Sequence, residues 1–172
     1  MLPHEHFIVA FVPVFAYVVL RDRQLISLQL TAIVFIGSQF PDLVDKPLAH
    51  QFGLIPSGRV FMHSLPIAIP FLLIVAVYGW KTDRNPLSGA FIFAYLSHLV
   101  ADHYTSLFGP DPHIPAELLW PLLSVPARTH HPHWAGPDGI NIVLWTLFSA
   151  VVLLATAYFV VRDLRTQLGQ AN

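Results

Sequence analysis

The sequence predicts an all-α integral membrane protein, a helical bundle of about five transmembrane helices with a Pro/His-rich extracytoplasmic loop. Three observations predict it. Of the 172 residues, 55% are hydrophobic and only 11% charged, where a soluble domain carries about a quarter charged residues; the mean hydropathy is +0.59. The apolar residues gather into runs separated by charged or Pro-containing turns. The histidines and most carboxylates gather at one end of those runs.

The first run is Phe7–Leu20, with Pro13 inside it as an expected kink. No Lys or Arg precedes it and no small-residue cleavage site stands out, so it is expected to be a retained helix. Residues 21–24 form a short charged turn that makes the second run, Leu25–Phe40, an antiparallel neighbour. This run falls short of the about 20 residues that cross a bilayer. Pro41 is expected to end it, with a polar loop reaching His63. The third run is Leu65–Trp80 and the fourth runs from Leu87 to about Ser106. Residues 107–138 hold seven of the fifteen prolines and a short amphipathic piece, Ala116–Leu123, expected to lie at the membrane surface. The fifth run is Ile140–Val161. The chain reads as a single domain, 1–172.

Five spans place the turns at 21–24 and 81–86 and the C-terminal tail on one side. That side holds Arg21, Arg23, Lys81, Arg84, Arg162 and Arg165, six of the nine Lys and Arg, and is therefore expected to be cytoplasmic. The opposite, extracytoplasmic side receives all ten histidines. Longer outward loops account for His130, His131 and His133, which read as surface residues. They do not account for His6, His63 and His98, which lie at helix ends. The localisation expected is the cell membrane, multi-pass. A net charge of −1 argues against nucleic acid as a partner.

With no cysteine in the chain, any metal must be held by His, Asp and Glu. His98 and Asp102 are four residues apart and share a helix face. His6 opens the first run, Asp42 and Asp45 follow the second, and His63 opens the third. Three imidazoles and two or three carboxylates suit zinc, manganese or iron, as one ion or as two about 3.5–4 Å apart. Asp45 stands equally as a second ligand, a general base, or the solvated ion-pair partner of Lys46. Arg59 would anchor to lipid headgroups or hold a substrate phosphate.

The motifs are Gly37-Ser-Gln-Phe-Pro41-Asp42-Leu-Val-Asp45, Arg59-Val-Phe-Met-His63-Ser64 and Ser97-His98-Leu-Val-Ala-Asp102-His-Tyr-Thr105, preceded by an N-terminal His. In this order they resemble the membrane-bound, metal-dependent hydrolase family that includes the LexA-regulated inner-membrane proteins of the YdjM type. The wording around Pro41–Ala49 and Leu54–Arg59 looks most like the haloarchaeal branch. The resemblance covers residues 1 to about 125. It implies a metal-dependent hydrolase in the membrane, distantly similar to zinc phospholipase C. The chain departs from the pattern at Gly58, where the family often has His, and at Met62, where it often has Thr. One potential ligand is thereby missing, which favours one or two metal ions. Pro56-Ser57-Gly58 and His98-x-x-x-Asp102 also resemble the metal-free phosphatidate phosphatases, but Arg59 and Ile92 stand where that family needs His and Arg.

The expected function is hydrolysis of a phosphoester of a lipid or lipid-linked substrate by metal-activated water. His6, Asp42, His63, His98 and Asp102 are the expected ligands, and Asp45 and Arg59 the expected catalytic groups. The alternative is a non-catalytic, metal-stabilised membrane scaffold or stress-response interaction protein. Metal transport ranks last, because the first, third and fifth runs have almost no polar ligands along their depth.

Overall fold

A computed structural model describes residues 2–127 and 142–170. Among these the elements are α1 (Pro3–Asp22), α2 (Leu28–Lys46), a π-helical turn (Pro47–Gln51), α3 (Leu65–Lys81), α4 (Asn85–Asp102), α5 (Tyr104–Phe108), a 3₁₀ turn (Ala116–Leu119) and α6 (Ile142–Gln170). The described residues contain no strand. His130, His131 and His133 lie outside the described residues.

α1 to α4 start where the sequence supplies a start. Pro3 stands in the first turn of α1, and the Glu5 carboxylate accepts the Leu2 N–H at 2.6 Å. Ser27 caps α2, its Oγ accepting the Leu30 N–H at 3.2 Å. Pro66 and Pro86 occupy first-turn positions of α3 and α4, where their missing N–H costs nothing. Arg23, at a left-handed φ of 55°, ends α1 by donating its N–H to the Val19 carbonyl.

One boundary differs from the sequence expectation. Pro41 does not end α2; the helix continues through it to Lys46 and into the π turn. A proline inside a helix removes one backbone bond and bends the helix. Here that cost is offset by burial, because Pro41, Asp42, Leu43, Asp45 and Lys46 are all enclosed by neighbouring helices. The fourth run, expected to be continuous to about Ser106, instead breaks at His103 between α4 and α5.

α2 is the central helix and packs against α1, α4 and α6. α4 also contacts α1 and α3. An aromatic cluster of Phe40, Phe71, Phe91 and Tyr95 fills the space between α2, α3 and α4, over Ala68, Leu72 and Leu99. A second cluster, Ala10, Val34, Ala90 and Ala94, joins α1, α2 and α4 through small side chains. α2 and α4 approach most tightly at Gly37. A Cβ there would lie 2.8 Å from the Phe91 carbonyl oxygen and 3.1 Å from the Ala94 Cβ.

Contacts at the two ends of α6 fix its direction. Near its start, the Trp145 Nε1–H reaches the Asp42 carbonyl at 3.5 Å. Near its end, Asp163 accepts from Tyr78 Oη at 2.7 Å and pairs with Arg84. α1 and α6 are long and apolar enough to cross a membrane, and α3 is a shorter apolar helix. Large apolar side chains point outward along all three, among them Val12, Leu20, Leu73, Ile74, Val77, Val151 and Leu154. Such a surface suits hydrocarbon rather than water.

On an exposed helix, Gly→Ala stabilises by roughly 1 kcal/mol. Gly37→Ala should do the reverse, because its Cβ meets backbone that cannot move aside. Thermal unfolding in detergent should show a loss of about 1–3 kcal/mol. A gain in stability would refute the close approach of α2 and α4.

Candidate metal centre

The continuous helix through Pro41 puts Ser38, Asp42, Asp45 and Lys46 on one buried face of α2. α4 presents His98 and, one turn on, Asp102. The loop before α3 brings His63. Its conformation is set by Asp45, whose carboxylate accepts the N–H groups of Phe61, Met62 and His63 at 3.0, 2.8 and 3.3 Å. Tyr95 Oη donates to the Met62 carbonyl, and Ser64 Oγ donates to the Phe61 carbonyl at 2.9 Å. The loop is therefore tied to α2 and α4 before its histidine is considered.

Asp42, His63, His98 and Asp102 each bring one ligand atom into a set lying within 4.8 Å of one another. His63 Nε2 and His98 Nε2 are 3.0 Å apart. Asp42 Oδ1 lies 3.6 Å from the first and 3.8 Å from the second. Asp102 Oδ2 lies 3.6 and 3.9 Å from the same two nitrogens.

Hydrogen bonding decides what those two nitrogens carry. The Nδ1 of His98 is 2.6 Å from the Ser38 carbonyl oxygen, which can only accept, so Nδ1 bears the hydrogen. The Nδ1 of His63 is 2.8 Å from Asp45 Oδ2 and likewise donates. In the neutral rings both Nε2 atoms are then lone pairs, aimed at each other at 3.0 Å in a fully buried place. Only a proton or a cation between them makes that contact favourable. Asp42 Oδ1, also buried, has no hydrogen-bond partner.

These residues fit a divalent transition metal. Nitrogen and oxygen ligands of a tetrahedral zinc ion, at about 2.0–2.2 Å from it, sit about 3.4 Å apart. The observed spacings of 3.0–3.9 Å bracket that value. Histidine ligands commonly donate their second nitrogen to a carboxylate or carbonyl, as His63 and His98 do.

Without a metal, a proton holds the place. Burial pushes the His63 imidazole down, but the nearby Asp102 carboxylate, the hydrogen bond to Asp45 and the charges of Asp45 and Asp42 outweigh it and raise its pKa to about 9.

The remaining expected residues lie around this set. His6 stacks on His98 with ring centroids 3.9 Å apart, and its Nε2 is 3.2 Å from Asp102 Oδ1. Its Nδ1 is buried without a hydrogen-bond partner, yet the ring lies outside the group of four. Asp45 is inside the protein but turned toward the loop amides and the back of the His63 ring. Arg59 spans Asp102, with Nε 2.9 Å from Oδ2 and Nη2 3.4 Å from Oδ1, and its side chain stays 38% exposed. At Gly58 a Cβ would lie 2.9 Å from His50 Nε2, so the His50 ring takes up the space in front of that glycine.

Sequence reading missed Lys46. Its Nζ pairs with Asp42 rather than with the adjacent Asp45. The i,i+4 spacing was visible, but it counts only if the helix passes through Pro41. Ser38 and Tyr95 were missed because one acts through its carbonyl and the other through a loop carbonyl.

No curated protein and no solved structure matches this chain. Over residues 1–166 it matches the family described as YdjM inner membrane protein, and with the buried His/Asp cluster lying wholly inside that span, the chain belongs to this family.

Proposed function

We propose that this protein is a membrane-embedded, metal-dependent hydrolase acting on a phosphoester of a lipid or lipid-linked substrate. The observation that carries the reading is the pair of facing imidazole nitrogens flanked by Asp42 and Asp102. His63, His98, Asp42 and Asp102 would hold the ion, with His6 at the edge of the cluster. Zinc suits the donor set best, with manganese or iron as substitutes. When bound there, a divalent ion would supply the Lewis acidity that activates water and polarises a phosphoryl oxygen.

The chain's own groups supply the rest. Asp45 has both oxygens engaged, so it acts through His63 by fixing the ring and its tautomer. Arg59 bridges the buried Asp102 and the surface, which puts a guanidinium where a substrate phosphate would approach. With neutral imidazoles, the three carboxylates Asp42, Asp45 and Asp102 outnumber the cations Lys46 and Arg59 by one. A divalent ion reverses the sign of the centre and makes it attractive to an anion.

Five spans with the centre extracytoplasmic fit the helix directions. The start of α1, the end of α2, the approach to α3, the end of α4 and the start of α6 all meet at the centre. Tyr104, Phe108, Leu122 and Leu123 on the same end are exposed, as residues resting at a lipid interface would be.

A specific observation favours the scaffold as the second reading. All four side chains of the cluster are almost completely enclosed, as in a structural metal site. Activity of the metal-loaded protein on phospholipid or lipid-linked phosphate substrates separates the two. Hydrolysis abolished by His63→Ala supports the enzyme; bound metal without hydrolysis supports the scaffold.

Three outcomes are expected. Elemental analysis of purified protein should find a tightly bound divalent transition metal that is lost in the His98→Ala/Asp102→Ala double variant; equal content in both would sink the site. Because an ion must displace the proton that His63 holds up to a pKa of about 9, its affinity should fall about tenfold per pH unit below that value for each proton released. Isothermal titration at pH 6 and pH 8 checks the sign, and equal affinities would contradict it. Cysteines replacing the exposed Gln51 and Arg165 should label from opposite faces of intact cells; labelling from one face would refute an odd number of spans.

A further inference from the structure

Lys46 has no part in the reaction outlined above, yet it is a charged side chain only 5% exposed beside the centre. Its ammonium pairs with Asp42 Oδ2, one helical turn earlier on α2. That leaves Asp42 Oδ1 as the oxygen facing His63 and His98. From α6, the Trp145 ring lies over the ammonium with 5.6 Å between Nζ and the ring centroid. The same indole's N–H reaches the backbone carbonyl of Asp42 at 3.5 Å. Beneath the lysine stem, a Cβ on Gly58 would lie 3.4 Å from Lys46 Cγ. Three elements thus enclose one side-chain charge and aim it at one oxygen of one carboxylate.

A carboxylate with both oxygens available can bind an ion through one or through both. Binding through both takes two coordination positions. An ammonium held against one oxygen withdraws it and leaves a position for water or substrate. Arg59 does not play this part for Asp102, because it touches both oxygens of that group.

We propose that Lys46 is a positioning residue of the metal centre, which makes Asp42 a one-oxygen ligand, and that Trp145 holds Lys46 there and so brings α6 into the centre. This rests on the metal-centre reading above. Lys46→Met frees Asp42 Oδ2 and raises the coordination number. Lys46→Arg keeps a cation in reach. Trp145→Leu loosens the lysine without touching Asp42's side chain, and Trp145→Phe keeps a ring over it.

The experiment is full-length protein in detergent loaded with Co²⁺, read by visible absorption, whose intensity falls as coordination number rises. Lys46→Met and Trp145→Leu should each bind Co²⁺ with about twofold weaker visible absorption than wild type. Lys46→Arg and Trp145→Phe should restore it. Merely neutralising a buried charge would leave the spectrum of a loaded variant unchanged, so a wild-type spectrum in loaded Lys46→Met overturns the proposal. If Lys46→Met does not fold, Trp145→Leu decides by the same readout, and a wild-type spectrum there overturns it. A wild-type protein that takes up no Co²⁺ defeats the metal centre itself, and the role of Lys46 with it.

Discussion

Two histidine nitrogens aimed at one another across 3.0 Å are the constraint on which the rest of this structure depends. Each is turned that way by a bond that the far side of its ring donates, to the Ser38 carbonyl in one case and the Asp45 carboxylate in the other. Neither ring can rotate away without leaving a buried donor or acceptor unmet. The arrangement is therefore stable only around a positive charge, and the protein invests its central helix in keeping it. Asp42 and Asp102 complete the ring of negative and lone-pair atoms around the same point.

The two walls of the centre come from α2 and α4, and the packing beneath them serves that spacing. Gly37 lets the backbones meet, and the small residues Ala90 and Ala94 continue the close contact toward α1. Above it, the aromatic cluster around Tyr95 sets the depth at which α3 docks, and the tyrosine hydroxyl then fixes the loop that carries His63. Packing, loop conformation and ligand direction are thus joined in one sequence of contacts. A change at any of them reaches the histidines through closely packed, buried groups.

Much of this was legible in the residues. The helices were visible in the apolar runs, and Leu65–Trp80 needed only Lys81 added to it. The cluster was visible because His63, His98, Asp42 and Asp102 are costly at the ends of apolar helices unless they share a purpose. Pro41 misled because a proline after an apolar run ordinarily stops a helix, and here burial by three neighbouring helices overrides that preference. The error hid the Asp42–Lys46 turn. The engagement of Asp45 with three loop amides was not legible at all, since it depends on the path of a loop sixteen residues and more further on. His6 was expected among the ligands; its ring instead stacks on His98, outside the group of four, a placement that depends on how α1 and α4 cross.

α6 is fastened at its two ends by different chemistry. Trp145 reaches α2 beside the His/Asp cluster at one end, and Asp163 is gripped by Tyr78 and Arg84 at the other. Among the described residues, these noncovalent grips seat it in the bundle. The helix is apolar enough to enter a bilayer unaided. In assembly terms, then, residues 142–170 form a stave pinned near both of its ends, joined to α2 through an indole and to α3 and α4 through a single carboxylate.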